Sequence, residues 1–439
     1  MNSTDPFKDH KAKHLFLLIG ENPLPNYVAA MKLLEDKGTA YLVHTNQTIS
    51  QKEQLTRALK KKGFRTHPVR LDKDGTDNNK SNAYKIYEIV KECAEKTPSN
   101  ERIGLHYTGG TNTMAVHAYR AISDLQSKRT DTVYSYLDAR TLEIFIDTSE
   151  PEPFHRDIQL EVSLKDLFNI HKYEFKLEPL PKPILEDAAA EFVRLYQDEN
   201  IAKTWRSWSN THRYNNYGEL KKAKNLDTGR YKSEEELSTL SLSLSGVHPE
   251  IIEVLRNHLD TSQDKLSLKI SKNKGFNSCE QVCEWLGGIW LEHYVLSQIQ
   301  KIAKDGKFKN LQVGESQMTF VIKKSQTYEG GIFEFDVAFM RSYQLFAISC
   351  TTSKDPKECK LKLFEAYIRA KQLGGDEARV ALVCCCDNDP TKTQSLDRYL
   401  KSQLEGAVTN PKIAVFIRED LPNLKIKIAD WVERNKGKS

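Results

Sequence analysis

The sequence predicts an α/β protein in three parts, spanning residues 1–150, 151–270 and 271–439. Three observations carry this. In the first part, apolar runs alternate with amphipathic helical patterns. The middle is helical in pattern and then polar. The last part places two acidic residues in alternation with aromatic ones along a strand. Strand alternating with helix implies a parallel sheet with right-handed crossovers.

In the first part, HLFLLIG (14–20) reads as a buried strand, NYVAAMKLLEDKG (26–38) as a helix and AYLVHT (40–45) as a second strand. QKEQLTRALKKKG is a helix, FRTHPVRL a strand, SNAYKIYEIVKECAEK a helix, RIGLHY a strand and MAVHAYRAISDLQS a helix. TVYSYLDAR and TLEIFID close the part as a hairpin. Ligands of open sheets bind at the carboxyl ends of the strands. Three such ends carry polar loops: Gly20 to Asn26 with Pro25 inside it, His44-Thr45-Asn46, and YTGGT. The first lacks the GxGxxG of a dinucleotide site.

Composition bounds function without naming it. Of 439 residues, 39% are hydrophobic and 28% charged, and no stretch is long and apolar enough to span a membrane. The opening MNSTDPFKDHKAK has no apolar signal-peptide core, so a cytoplasmic protein is expected, with its eight cysteines as free thiols. Cys279 and Cys283 share a helix face without a second ligand pair, which argues against zinc. A net charge of +5 permits nucleic acid binding without requiring it.

In HYTGGTNTM (106–114), Gly109 and Gly110 let the backbone turn sharply with its N–H groups uncovered, while Thr108, Thr111 and Thr113 add hydroxyls at a helix start. That is a cradle for phosphate, although helix capping alone also favours threonine here. The P-x-P-N loop together with strand-TGGT-x-x-M resembles the CARF domain, the CRISPR-associated Rossmann fold that senses cyclic oligoadenylates. His106 stands where that pattern has asparagine, and Asn112 where it has lysine. The resemblance implies that Gly20, Pro25, Asn26, Thr45, Asn46, His106, Thr108, Gly109, Gly110, Thr111, Asn112 and Met114 line the ligand rim.

The middle part reads as a helical connector followed by a loop-like stretch over 210–245. From Lys203 to Lys224, cations interleave with Trp205, Trp208, Tyr214 and Tyr217, as in proteins that track single strands. The favoured reading is a helix whose tryptophans pack on the core.

In the last part, GGIWLEHYVLSQIQKI reads as a helix with Glu292 near its start, MTFVIK as a strand, and FEFDVAF and QLFAISCTT as a hairpin. Glu334 and Asp336 share a face. If the hairpin is symmetric about Ser342 and Tyr343, Asp336 faces Ser349 and Glu334 faces Thr351. The segment E-F-D-V, I-S-C-T-T and a helix ending Leu373-Gly374-Gly375 resembles the PD-(D/E)xK restriction-endonuclease-like core of CARF-fused nucleases. Ser349 stands in place of the glutamate and Thr351 in place of the lysine.

The resemblance implies a cyclic-oligoadenylate-activated nuclease of type III CRISPR defence. It implies a homodimer around cyclic tetra-adenylate, a nucleic acid substrate, no membrane, and Mg or Mn held by Asp336, Glu334 and Ser349. Glu292 is a spare carboxylate, and Lys354, Lys360 or Lys362 a substitute cation. Two alternatives stand beside it: a catalytically degenerate sensor or adaptor, and a ring nuclease that degrades the messenger through groups such as Thr45 and His106.

Overall fold

The computed structural model describes residues 5–72, 82–126, 131–138, 143–148, 154–157, 160–210, 218–270, 275–324, 332–388, 394–404 and 410–435. The N-terminal elements are β1 Ala12–Leu18, α1 Leu24–Leu33, β2 Leu34–His44, α2 Ile49–Lys61, β3 Arg65–Arg70, α3 Ala83–Glu95, β4 Ile103–His106, α4 Asn112–Ser123, β5 Thr132–Asp138, β6 Glu143–Asp147 and β7 Phe154–Asp157. They form a seven-stranded sheet in the order β3-β2-β1-β4-β5-β6-β7. The first five strands run parallel, and β6 and β7 add antiparallel.

Continuous apolar runs follow from burial on both faces. In β1, Leu15 and Leu17 pack with α1 and α2, while Phe16 and Leu18 pack with α3 and α4. The helix expected over 26–38 ends at Leu33. Lys37 adopts a left-handed φ of 57°, and the register of β2 on β1 shifts between Ala12 and His14, so Leu34 already belongs to the strand.

Next come α5 Leu164–Ile170, β8 Tyr173–Leu177, α6 Glu186–Leu195, α7 Glu199–Ser209, α8 Glu234–Thr239, β9 Ser241–Ser243, α9 Pro249–His258, β10 Thr261–Ser262 and β11 Lys265–Ser267. The stretch read as loop-like over 210–245 thus contributes α8 and one strand of a small sheet, β10-β11-β9. Trp205 and Trp208 are buried and stacked 4.6 Å apart, which fits the core reading of that segment; Tyr214 and Tyr217 lie outside the described residues.

The C-terminal elements are α10 Cys279–Glu284, α11 Trp290–Lys304, β12 Val313–Lys324, β13 Phe333–Arg341, β14 Gln344–Thr351, α12 Pro356–Gly374, β15 Arg379–Cys384, α13 Leu396–Ser402, β16 Ile413–Phe416 and α14 Leu424–Arg434. The second large sheet runs β16-β15-β14-β13-β12-β8. Its edge strand β8 comes from within the span read as connector and pairs antiparallel with β12.

One apolar cluster runs from Leu15 of the first sheet and Val28 of α1 through Leu167 and Phe168 to Phe335 and Leu345 of the second sheet and Leu363 of α12. Polar ties reinforce the seam: Val162 N–H donates to Ser342 O at 3.1 Å, and Leu164 N–H to a Glu315 carboxylate oxygen at 2.8 Å. The connector is pinned separately. Glu199 pairs with Arg206 at 2.5 Å, Arg418 at 2.8 Å and Lys354 at 3.0 Å.

Burial pushes the Glu199 carboxyl up, but Arg206 and Lys354 outweigh it and hold the group down at about 2. A carboxylate depressed on folding stabilises above its unfolded value near 4.5, and that contribution is lost as pH falls towards 2. Denaturant unfolding should therefore find Glu199→Gln less stable than wild type at pH 7, with the gap closing between pH 4.5 and 2. A gap independent of pH would contradict the network.

Candidate functional site

At the carboxyl rim of the first sheet, the loops after β1 and β4 lie backbone against backbone. Gly109 and Gly110 have φ of 112° and 65°, conformations that side chains resist. A Cβ on Gly109 would collide with the Leu18 carbonyl, and one on Gly20 would come within 2.9 Å of the Gly110 nitrogen. Asn26 lies buried beneath, donating from Nδ2 to Leu18 O at 2.9 Å. Its Oδ1 has no hydrogen-bond partner among the described residues. A buried acceptor left unpaired beside a glycine cradle is what a ligand donor would satisfy.

Thr111 caps α4, its Oγ1 accepting from Met114 N–H at 3.2 Å. Thr108 is spent on the fold, its Oγ1 accepting from Leu137 N–H at 2.6 Å. Met114 is buried beneath Gly110, Asn112 is exposed and Pro25 is half-buried in the first turn of α1. Thr45 is buried, and its N–H donates to Thr48 Oγ1. Asn46 is exposed and tied to the end of β3, donating from its N–H to Asp72 at 2.6 Å and accepting from Arg70. Sequence reasoning missed Arg70 as a cation on this rim, although it closes the run FRTHPVR as Asn46 closes the neighbouring strand.

His106 corrects an expectation. Its ring is fully buried on the Ser135 hydroxyl at 3.0 Å, and desolvation lowers its pKa to about 3. It is a neutral residue buried at the end of β4, and its Nε2 has no hydrogen-bond partner among the described residues.

The second site sits where β13 and β14 part. Their ladder pairs Arg341 with Gln344 and continues to Val337 with Ile348, the symmetric register expected. Beyond it the Asp336 side chain enters between the strands. One carboxylate oxygen, Oδ2, accepts from Ser349 Oγ at 2.8 Å and from the Cys350 N–H at 2.7 Å. A backbone donor that a regular ladder would use is thus taken by a side chain. The expected opposition of Glu334 to Thr351 does not form, since Thr351 Oγ1 lies 3.4 Å from Glu358 and accepts from Ser353 N–H.

Lys362 of α12 reaches the same Asp336 oxygen at 3.9 Å. The cleft, of about 100 Å³, is lined by Glu334, Asp336, Ser349, Lys362, Glu365 and Arg369 among others. Glu292 is buried, accepts from Thr319 Oγ1 at 2.9 Å, and is held well above the ordinary carboxylate value by burial and then by Asp336. Glu334 has an exposed side chain whose carboxyl stands in a crowded acidic groove; desolvation and then Asp336 raise it too. Burial alone would lower Lys362, but Asp336, Glu292 and Glu334 together raise it, so its ammonium stays charged.

Of the substitute lysines, Lys354 is paired with Glu199 and Lys360 with Gln403, both away from Asp336. Among the described residues, no three His, Cys, Asp or Glu side chains are gathered into a ready metal site. The oxygens around Asp336 are nevertheless of the hard kind that Mg or Mn takes, and a cation would offset the burial and the Asp336 repulsion that raise Glu292 and Glu334.

No family model and no curated protein sequence matches the chain. Solved structures do. Protein VC1899 from Vibrio cholerae superposes with a TM-score of 0.70 at 15% identity, over 97% of this chain and 99% of that one. Can2 from Sulfobacillus thermosulfidooxidans, solved with cyclic tetra-adenylate, gives 0.63 at 14%, over 95% and 99%. A type III CRISPR defence DNA nuclease activated by cyclic oligoadenylate gives 0.50 at 16%, over 87% of this chain and 47% of that one. The chain shares its fold with these proteins. The resemblance read from its motifs therefore holds at the level of the fold. Among the described residues, no helix is long and apolar enough to cross a membrane.

The glycine cradle makes a direct prediction. Gly109→Ala should destabilise the protein by more than about 1 kcal/mol, because the substitution meets both a positive φ and the Leu18 carbonyl. Gly63→Ala, at φ 87° with open space around it, should cost less. Equal losses in thermal unfolding would contradict the backbone contact.

Proposed function

We propose that the chain is a cyclic-oligoadenylate-activated, metal-dependent nuclease acting in type III CRISPR defence. The observation that carries the nuclease reading is Asp336, wedged at the parting of two strands with Glu292, Glu334 and Lys362 converging on it. The fold shared with Can2 supports the activator.

At the rim, uncovered amides of Gly109 and Gly110 and the N-terminus of α4 receive phosphate, and Asn26 Oδ1 accepts from a base or ribose donor. A cyclic tetranucleotide has two-fold symmetry, so two rims meeting across it would make a homodimer holding one ring. In the second site, Asp336, Glu334 and the Ser349 hydroxyl would hold Mg or Mn, with Glu292 behind them. Such an ion supplies charge neutralisation at the scissile phosphate and a water of lowered pKa. Lys362, kept protonated by three carboxylates, binds a non-bridging phosphate oxygen and orients it, the part played by the lysine absent at Thr351. Glu292, raised by burial and then by Asp336, is placed to take up a proton at Oε1 or Oε2 beside the reacting group.

A second reading, an inactive effector domain that signals by binding, is favoured by one contact: Ser349 Oγ donates to Asp336 where the family pattern places another acid.

Two measurements separate these readings. Titration calorimetry should give one ring of cyclic tetra-adenylate per two chains, and Gly110→Trp should abolish binding because Leu18 and Met114 leave its side chain no room but the cradle. One ring per chain, or full affinity in the variant, would contradict the rim. With cyclic tetra-adenylate and Mn²⁺, labelled single-stranded DNA, RNA or duplex should be cut. Asp336→Ala should then lower the rate at least about a hundredfold, since an ion-binding carboxylate contributes several kcal/mol. Activator affinity should be unchanged. Cleavage unaffected by the substitution would move the chemistry elsewhere, and no cleavage by wild type under any metal would establish the inactive reading.

A further inference from the structure

The loop after β1 and the glycine pair that ends α12 belong to different domains in sequence, and in the structure they touch. Gly375 has φ 60°, and a Cβ there would collide with Asn22 Nδ2. Glycine is thus required twice, for the turn and for the approach of Asn22. Asn22 is itself fixed, because its Oδ1 accepts from Leu24 N–H at 3.0 Å at the start of α1.

Both partners lead to a site. Two residues before Asn22 lies Gly20, whose Cβ position is 2.9 Å from the Gly110 nitrogen, so this loop forms one wall of the cradle. On the other side, Gly374 sits against Leu345 and Ala378, with its Cβ position 3.4 and 2.9 Å from theirs. The end of α12 is therefore seated on the second sheet. Its Asp355 cap accepts from Lys357 N–H at 2.9 Å, and its buried stripe includes Cys359, Leu363, Ala370 and Leu373. The same helix carries Lys362 and Arg369 into the Asp336 cleft. At 1.5 Å per residue, Lys362 lies roughly 20 Å along the axis from the Asn22 contact.

We infer that Asn22 is a positioning residue, coupling occupancy of the glycine cradle to the placement of Lys362 at Asp336 through α12 as a rigid lever. The inference rests on the proposed sensing of a cyclic oligoadenylate. A ligand that inserts against Gly20 and Gly110 and shifts their loop carries Asn22 with it, and the Asn22 side chain occupies the space where a Gly375 Cβ would stand. Packed interfaces of this kind respond by discrete displacement rather than compression. A displacement near 1 Å is enough to matter where an ammonium must meet a phosphate oxygen. For the ligand to drive it, the ring must bind the shifted arrangement better than the resting one.

Hydrogen exchange of the full-length protein, with and without cyclic tetra-adenylate, tests this without relying on cleavage. In wild type the ligand should change exchange both over 20–26 and along 356–374. In Asn22→Ala, cyclic tetra-adenylate should bind within about threefold of wild type while the change along 356–374 disappears, and any ligand-stimulated kcat should fall about tenfold or more with KM unchanged. Asn22→Asp, which retains the acceptor for Leu24 N–H and the shape of the side chain, should restore the response. Gly375→Ala pushes on the same contact from the nuclease side and should also break the response with binding intact, which covers the case in which Asn22→Ala does not fold.

Three results would overturn the coupling. One is a wild-type-like response along 356–374 in variants that bind. Another is a wild-type protein that binds the ring with no change there. The third is loss of binding in Asn22→Ala at unchanged melting temperature, which would place Asn22 in the cradle instead. A wild-type protein that does not bind the ring at all overturns the sensing reading and this inference together.

Discussion

The structure depends on one apolar layer that two sheets bury in common. Leu15, Leu17 and Ile19 of the first sheet and Phe320, Phe335 and Leu345 of the second belong to a single cluster, with Leu167 and Phe168 of α5 between them. Apolar area removed from water is non-directional and additive, so neither sheet can leave the other without re-exposing a shared core. Directional contacts then fix the orientation, from the Val162 and Leu164 amides to the meeting of Asn22 with Gly375. The glycine cradle and the acid cleft thus stand on sheets that share one core.

Within the cleft, one substitution of the family pattern is answered by geometry and another by position. The hydroxyl of Ser349 satisfies the Asp336 oxygen that a second acid would repel, and the Cys350 N–H donates to the same oxygen. Where Thr351 offers no cation from the strand, Lys362 reaches Asp336 from a helix, at 3.9 Å. Three carboxylates around one ammonium leave an acidic surplus. That surplus is the electrostatic condition under which a divalent cation is welcome.

Much of this was legible in the sequence. The alternation of strand and helix over the first part, the TGGT turn and the hairpin register about Ser342 and Tyr343 all follow from local periodicity and turn chemistry. What was not legible depends on three-dimensional company. Nothing in NYVAAMKLLEDKG announces that Lys37 adopts a left-handed conformation and hands Leu34 to a strand. His106 shares the TGGT motif yet points into the core, because β4 is buried on both faces and its last residue obeys the strand's alternation, not the loop's chemistry. The choice among Lys354, Lys360 and Lys362 was open to proximity but closed by helix phase. With Asp355 as cap and Cys359, Leu363 and Ala370 inward, Lys362 and Arg369 are seven apart on the flank that meets Asp336.

The pairing of β8 with β12 bears on how the chain between them is held. The strand that completes the second sheet precedes the connector, and its partner follows it. Everything from α6 to α11 is therefore an excursion that leaves one sheet and returns to the neighbouring position in it. Loop closure costs little more as an excursion lengthens. Its length is therefore carried at little cost, and Phe192, Trp205 and Trp290 add a core shared with Phe339 and Phe346 of the sheet it returns to. Two neighbouring strands thus hold both ends of the unit that packs against them.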